Sequence, residues 1–576
     1  MVAVSAGLGV FVKRCAATSL ALLFFMLSGI AADAQTSASG GPLVALVRAK
    51  IKHVFVIYQE NRSFDSYFGT FPGVENLASP LARSHGFRQY DPLGKRYITP
   101  FRITAADTSD VDHSRPSLVA KSDGGAMDRF VAVEETLALA RHKTAHDAQR
   151  LGALTMAHED CDTVPFLWKY ASTFAFFDHF FQAMYGPSTP GNLDLIAAQT
   201  GQTQWARHPL ERDDPNNAGL GEPVVDDLDP FLGPYPGDKP ARPGAQLDQT
   251  YATLMLTLAG RDAVNARIDN DDVKNDVETL ASLGHPAIPW GWYQEGFGTA
   301  TQPGGAFSAH HDAPQFFGYL RLNDYFWRGV HDLTDLLPAL QSGTLGDRGV
   351  VFIKGGLRNS FGWKPADRSA FVAQNFNGDD DHPGYSDSHI SEAMVATYVN
   401  AIARSKYWND SLILIVWDDS EGDYDHVSPP VFETCPDGNP CGDGPRVPAM
   451  IISPYAKSHS VVTSPADHAS FAKLLGAIFD LPALASLPDE AKYMPIGPRD
   501  SNPALDNLLD ALDPARLSGT APPISRDAAI IADDVVNAIP PKMSCSTLRI
   551  TPVAIPDEGS IPTGFSPLPT RDDIVP

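Results

Sequence analysis

Two short clusters carry side chains that could do chemistry together. Glu60-Asn61 sets a carboxylate beside an amide oxygen, and Asp418-Asp419 sets two carboxylates in succession. Oxygen donors of this kind suit a hard divalent cation better than a soft one. Adjacent like charges are unfavourable without a cation, so a single divalent metal ion, of unspecified identity, is the economical reading of 418–419. For 60–61 a loop whose asparagine caps a turn explains the pair equally well. The run after Asp418 does not follow the D-x-[DN]-x-[DN]-G spacing of a calcium loop.

A third element is Gly186-Pro187-Ser188-Thr189-Pro190-Gly191-Asn192. Proline suits the first turn of a helix, Leu193 to Gln199 can continue one, and Gly201 can stop it. Ser188 and Thr189 then lie at a helix N-terminus, where free N–H groups favour phosphate oxygens. A hydroxyl there becomes a nucleophile if a metal lowers its pKa; it also serves as a plain N-cap. The stretch narrowly misses the G-x-S-x-G elbow of serine hydrolases, because Pro190 stands where the second glycine would be. The histidines in polar, proline-rich surroundings are His113, His310-His311 and His382. If several converge, they supply donors to a phosphoryl group and a general acid. His426, after Asp425, orients the acidic cluster from behind or is a satisfied loop histidine.

The elements that must position these groups are strands ending in polar clusters. Residues 51–58 are β-branched and aromatic and run into Glu60-Asn61, and Leu412 to Trp417 runs into Asp418-Asp419. Both read as buried strands delivering polar groups at their carboxyl ends. Gly349 to Lys354 and Arg446 to Tyr455 are further strand candidates. Between Asp387 and Arg404, Ile390, Met394, Tyr398 and Ile402 share one face and predict an amphipathic helix. Helix, turn and buried strand in succession predict an α/β sheet covered on both faces, with ligands outside the carboxyl ends of its strands. Residues 205–245 are rich in Pro, Gly and Asp and read as an insertion or lid.

The 576 residues are 43% hydrophobic and 20% charged, which excludes a disordered or fibrous chain. A formal charge of −25 argues against a broad nucleic-acid or anionic-membrane footprint. Lys13 and Arg14, an apolar run to Ile30 and Ala32-Asp33-Ala34 predict a cleaved export signal over residues 1–34. An uncleaved interfacial helix is the alternative. The run is too short to span a bilayer, so no stable membrane anchor is expected. The mature chain then reads as one catalytic domain over 35–545 with a proline-rich arm over 546–576, secreted or periplasmic. Cys161, Cys435, Cys441 and Cys545 form an even set that an oxidising compartment could pair. The turn-forming Pro-Asp-Gly-Asn-Pro between Cys435 and Cys441 favours that bridge and leaves Cys161 with Cys545; structural zinc fits the spacing less well.

Taken together, these stretches carry a family resemblance. Val54 to Gly69, the Ser188 turn, Ala309-His310-His311, His382-Pro383, Trp417-Asp418-Asp419 with Tyr424-Asp425-His426-Val427, and Gly444 to Pro448 resemble, in order, the bacterial phosphoesterase family of AcpA-type acid phosphatases and phosphatidylcholine-type phospholipases C. The resemblance implies an alkaline-phosphatase-like α/β/α sandwich with insertions. It implies Glu60, Asn61, Asp418 and Asp419 as metal ligands, Ser188 as a nucleophile that also touches the metal, and His113, His310, His311 and His382 as phosphate contacts. Asp418-Asp419-Ser420-Glu421 and Pro190-Gly191-Asn192 depart from the Asp-Glu, Gly-Gly and Pro-Asn-Arg pattern of the phospholipase branch and look closer to the phosphatases. The expectation is therefore an exported acid phosphatase cleaving small phosphate monoesters through a phosphoserine, with a phospholipase C acting on a phospholipid headgroup as the alternative. Histidines protonated below about pH 6.5 would give an acidic optimum. A metal-free serine hydrolase and a phosphate-binding protein without turnover are the readings from other classes.

Overall fold

The computed structural model describes residues 41–569 except 209–222, 228–229, 231–248, 266–271, 300–304, 322 and 436–437. The export signal of residues 1–34 and most of the 205–245 insertion lie outside the described residues. The strands used below are β1 (His53–Gln59), β2 (Gln89–Asp91), β3 (Arg96–Ile98), β4 (Ala175–Phe177), β5 (Trp290–Gln294), β6 (Val330–Asp332), β7 (Gly349–Lys354), β8 (Ser411–Trp417), β9 (Ala449–Ile452) and β10 (Ser460–Val462). The helices are α1 (Pro42–Lys50), α2 (Phe64–Phe68), α3 (Arg115–Ser122), α4 (Phe130–Ala140), α5 (Ala145–Leu154), α6 (Pro165–Thr173), α7 (Ser188–Ala197), α8 (Leu336–Ser342), α9 (Ser388–Arg404) and α10 (Ala469–Phe479).

The central sheet runs β10-β4-β9-β8-β1-β7-β5-β6. All neighbours pair in parallel except those of β9, which runs against β8 and β4. β1, β7 and β8 are buried at every residue, as expected of Val/Ile/Leu-rich strands covered on both faces. Two sets of helices cover them: α10 packs on α1 and α7, while α9 packs on α6 and α8. This is the expected α/β/α sandwich. α9 forms where predicted, with the Asp387 carboxylate accepting from the His389 and Ile390 N–H groups at its start, but it is not amphipathic in place: all of it is buried except Thr397, Ala401 and Arg404, as a helix between a sheet and other helices can be.

Two expectations need correction. The strand placed over 446–455 is only Ala449–Ile452. Pro448 and Pro454 lack the N–H a ladder needs, and Arg446 turns aside to bind Asp65 and Asp425. The helix placed over 193–199 starts earlier, at Ser188, and stops at Ala197. Ala198, at φ 54°, makes the left-handed cap, while Gly201, at φ 116°, opens the next helix. Both disulfides pair as expected, Cys161–Cys545 and Cys435–Cys441. The segment after Cys545 opens with one helical turn to Leu548 and, among the described residues, continues to 569 without regular structure; Val553 N–H and Gly559 N–H donate to the Thr70 and Pro100 carbonyls. No helix among the described residues is long and apolar enough to cross a membrane.

Candidate active site

The register of the three central strands builds the site. β1 pairs Gln59 with Trp417 on one side and Tyr58 with Lys354 on the other. Glu60, Lys354 and Asp418 therefore leave the sheet at one level, at its carboxyl edge. Asn61 then takes φ 49°, a left-handed turn that asparagine tolerates better than most residues. Its N–H donates to Asp418 Oδ1 at 3.0 Å, and Arg62 N–H donates to the Asp419 carbonyl at 2.9 Å. The two acidic clusters, 357 residues apart in sequence, are thus tied together by backbone.

α7 brings its first residue onto this edge. The Ser188 hydroxyl donates to Glu60 Oε2 at 2.7 Å and lies 3.2 Å from Asn61 Oδ1 and 3.4 Å from Asp419 Oδ2. The close approach depends on Gly191, where a Cβ would come within 2.8 Å of the Asp418 carbonyl oxygen and 3.0 Å of the Tyr58 hydroxyl. At the same N-terminus, Thr189 N–H donates to the Asp227 carboxylate at 2.9 Å, the interaction a helix start offers any anion. All five residues of the predicted ligand set are at most 1% exposed.

The donor chemistry fits a cation. Asp418 Oδ1 accepts from two backbone N–H groups, yet its Oδ2 is buried without a partner. An orphaned buried carboxylate oxygen is costly unless something positive meets it. Burial, and then the neighbouring Asp418, hold the Asp419 carboxyl well above its usual range. Lys354, which sequence reasoning missed, contacts Glu60 Oε1. Burial lowers its ammonium to about 8 against the pull of Asp418, Asp380 and Asp419. The remaining signal for Lys354 was a lysine at the carboxyl end of a buried strand.

The histidines divide by environment. His113 Nδ1 faces the Val111 carbonyl at 2.9 Å and so carries a proton, which turns Nε2 toward Asn61 Nδ2 at 3.3 Å. Asp110 and Glu421 flank the ring at 3.4 and 3.7 Å. Burial disfavours its charge, but Glu421, Asp110 and Asp419 outweigh burial and raise its pKa well above the ordinary value. The Asn61 amide alone would ask for a neutral ring; three carboxylates in a dry site outweigh one 3.3 Å contact. His382 stands beside it, ring centres 5.6 Å apart, with Nδ1 donating to the Pro383 carbonyl at 2.5 Å. His311 Nε2 lies 3.4 Å from Glu60 Oε2, and neither of its ring nitrogens has a hydrogen-bond partner. Burial lowers the pKa of His311 and of His382, for His311 helped by His310. The three rings therefore do not share the single protonation range expected from sequence. His310 is the more exposed of its pair, bonded to Ser308 at 3.2 Å, and its ring stands at 80° to that of His311 with ring centres 4.2 Å apart. Asp380, also missed, receives Tyr385 OH and Ser386 Oγ, and its carbonyl accepts Glu60 N–H at 2.7 Å.

His426 belongs elsewhere: Asp65 and Glu75 hold its two nitrogens at 2.6 and 3.0 Å beside Arg446. It braces the loops behind the site rather than the acidic cluster.

A family model described as the Phosphoesterase family matches residues 51–482. The chain belongs to the Phosphoesterase family. It is similar to the non-hemolytic phospholipase C of Burkholderia pseudomallei, 22% identical over 472 residues, 75% of this chain and 55% of that protein. Phospholipase C B of Mycobacterium tuberculosis is 22% identical over 507 residues, 82% of this chain and 81% of that one. The chain thus spans about half the length of the Burkholderia relative and four-fifths of the mycobacterial one. Among solved structures, an alkaline phosphatase superfamily protein from Vibrio parahaemolyticus aligns with a TM-score of 0.31 and 11% identity, covering 80% of this chain and 78% of that one.

Proposed function

We propose that this phosphoesterase-family chain hydrolyses phosphate monoesters through Ser188. One observation carries the reading: the Ser188 hydroxyl sits within 3.4 Å of Glu60 Oε2, Asn61 Oδ1 and Asp419 Oδ2, oxygens from two distant stretches of chain. Those oxygens, with Asp418 and Ser188 itself, would hold one divalent cation, which supplies positive charge to lower the hydroxyl's pKa and to polarise a phosphoryl group. Ser188 Oγ, its proton released to solvent, attacks phosphorus. His311 Nε2 and His382 address the equatorial oxygens, where charge must be stabilised, and leave the Nε2 proton of His113 for the departing oxygen. As the P–O bond to the leaving alcohol breaks, His113, the ring its neighbours hold charged, gives that oxygen a proton. Water then gives a proton back to the neutral His113 as its oxygen attacks phosphorus, the P–O bond to Ser188 breaks, and phosphate and the serine oxygen are freed. Export of the enzyme is part of this reading, supported by two disulfides, which persist in oxidising compartments.

The named relatives favour a second reading, a phospholipase C acting on the phosphodiester of a phospholipid headgroup. The test is turnover of p-nitrophenyl phosphate against p-nitrophenylphosphorylcholine by purified protein, before and after chelation and metal return. Monoester turnover that chelation removes, metal restores and Ser188→Ala abolishes is expected. Turnover of only the choline diester makes the phospholipase reading correct. Activity that survives both chelation and Ser188→Ala refutes both.

A further inference from the structure

β2 and β3 form a two-stranded hairpin set apart from the central sheet. Its inward residues Gln89, Asp91 and Ile98 are buried, while the directly paired Tyr90 and Tyr97 stand outward, 46% and 55% exposed, with ring centres 5.3 Å apart. Leu93 at the turn is 37% exposed, and Leu139 at the end of α4, the helix that packs on β2, is 41% exposed. Leu93 N–H donates to Glu135 Oε2 at 3.1 Å, which joins the turn to that helix one turn before Leu139. Tyr90 and Tyr97 therefore share the outward face of the hairpin and Leu93 its turn, while Leu139 stands on the helix that covers the inner face, where Val131 N–H donates to Gln89 Oε1 at 3.1 Å.

The charge around them reverses that of the chain. Residues 81–97 contain Arg83, Arg88, Lys95 and Arg96 against the single acid Asp91, in a protein of formal charge −25, although Arg83 pairs with Asp557 at 3.5 Å. Asp91 is itself buried and bonded to Arg96 at 3.0 Å. Arg88 lies over the Tyr97 ring at 4.1 Å. Residues 139–143 add Arg141 and Lys143 without an acid. Burial, and then the bond to Asp91, push the Glu135 carboxyl up to about 8, so it adds little negative charge at neutral pH. Tyrosines with a wet end and an apolar body, an apolar turn tip and basic side chains that can reach outward are what the interface of a bilayer with anionic headgroups accepts. The surface also leads to the site: Arg141 pairs with Asp112, the residue before His113.

We propose that the outward face and turn of this hairpin form a docking surface for an anionic phospholipid membrane, holding the enzyme at the lipid–water interface. The proposal rests on neither choice of ester, because binding is read without turnover. The experiment is cosedimentation of the full chain with phosphatidylcholine vesicles, with and without about 30% phosphatidylglycerol. Wild type is expected to bind the anionic vesicles at about 0.05 M salt and to release as salt approaches about 0.5 M, where screening shortens the reach of surface charge. Tyr90→Ser with Leu93→Ser and Tyr97→Ser, and separately Arg88→Gln with Lys95→Gln, should each lower the bound fraction about five-fold or more. Both variants should keep wild-type melting and wild-type turnover of a soluble ester, since none of the five side chains touches the site. Failure of wild type to bind anionic vesicles at low salt overturns the proposal. So does binding by the serine variant equal to wild type, or binding of wild type that ignores both lipid charge and salt.

Discussion

Asp419→Asn should move stability and activity in opposite directions. Glu60 Oε2 and Asp419 Oδ2 lie 2.7 and 3.4 Å from the same hydroxyl oxygen, so they are at most about 6 Å apart. Ionised together at that distance they would repel by about 3 kcal/mol at an effective dielectric of about 20, a cost the metal-free wild type escapes only by taking up a proton at Asp419, whose carboxyl burial and Asp418 already hold well above its usual range. Lys354, in contact with Glu60, offsets part of this. Asparagine keeps the shape, and its Oδ1 can still accept Glu421 N–H, which donates to Asp419 Oδ1 at 2.7 Å. Without metal, the variant should therefore be more stable than wild type by about 1–3 kcal/mol, or a few degrees in melting temperature for a chain this long. With metal the order reverses: the variant loses an anionic ligand, gains less from added cation, and its turnover falls about a hundred-fold or more. Calorimetry of both proteins in chelator and in divalent cation, paired with initial rates, reads every term. A lower melting temperature for Asp419→Asn in chelator would refute the reasoning, because the carboxylates would then not be strained against one another.

Three further outcomes follow from other parts of the molecule. His311→Ala should cut turnover about a hundred-fold or more, while His310→Ala should change it less than ten-fold, since only the first ring faces Glu60; equal losses in the two variants would count against the assignment. His426 is raised to about 9: burial opposes its charge, but Asp65 and then Glu75 hold it protonated. Its contribution is thus fully present below about pH 6.5, fades as pH climbs through about 9, and reaches at most about 3 kcal/mol, so His426→Gln should flatten the melting profile in that window. Removing the Cys161–Cys545 bridge, which closes 384 residues, should cost up to about 5 kcal/mol, more than removing Cys435–Cys441, which closes 6, and paired Cys→Ala variants compared by denaturant melts would expose a reversed order.

The framework was legible because its signals are local. β1 and β8 announce themselves as unbroken apolar runs that stop at polar clusters, and a parallel sheet has to place such stops at one edge. α9 carries a sustained 3.6-residue period and a capping aspartate. The ends of shorter elements were less legible, because they depend on single residues in context. Arg446 looks strand-compatible until Asp65 and Asp425, both far away in sequence, claim its guanidinium. A glycine at 201 looks like the natural stop for α7, yet Ala198 takes the left-handed turn because Asp194 and Ala198 close the last helical bond.

The site divides along the same line. Glu60, Asn61, Asp418, Asp419 and Ser188 could be named because each sits where a strand ends or a helix begins. Which of His310 and His311 turns inward was not readable, since one short helical turn decides it. Lys354 was passed over although its strand was found, because its meaning lies in a register: it leaves β7 level with Tyr58 on β1 and so meets Glu60 across 294 residues of sequence. That contact changes the charge count. Of the three buried carboxyl groups Glu60, Asp418 and Asp419, Lys354 meets one, and the others still present oxygens that a cation could neutralise. A lysine fixed on Glu60 Oε1 also leaves Oε2 turned to Ser188, so the residue missed in the sequence orients the carboxylate that was found.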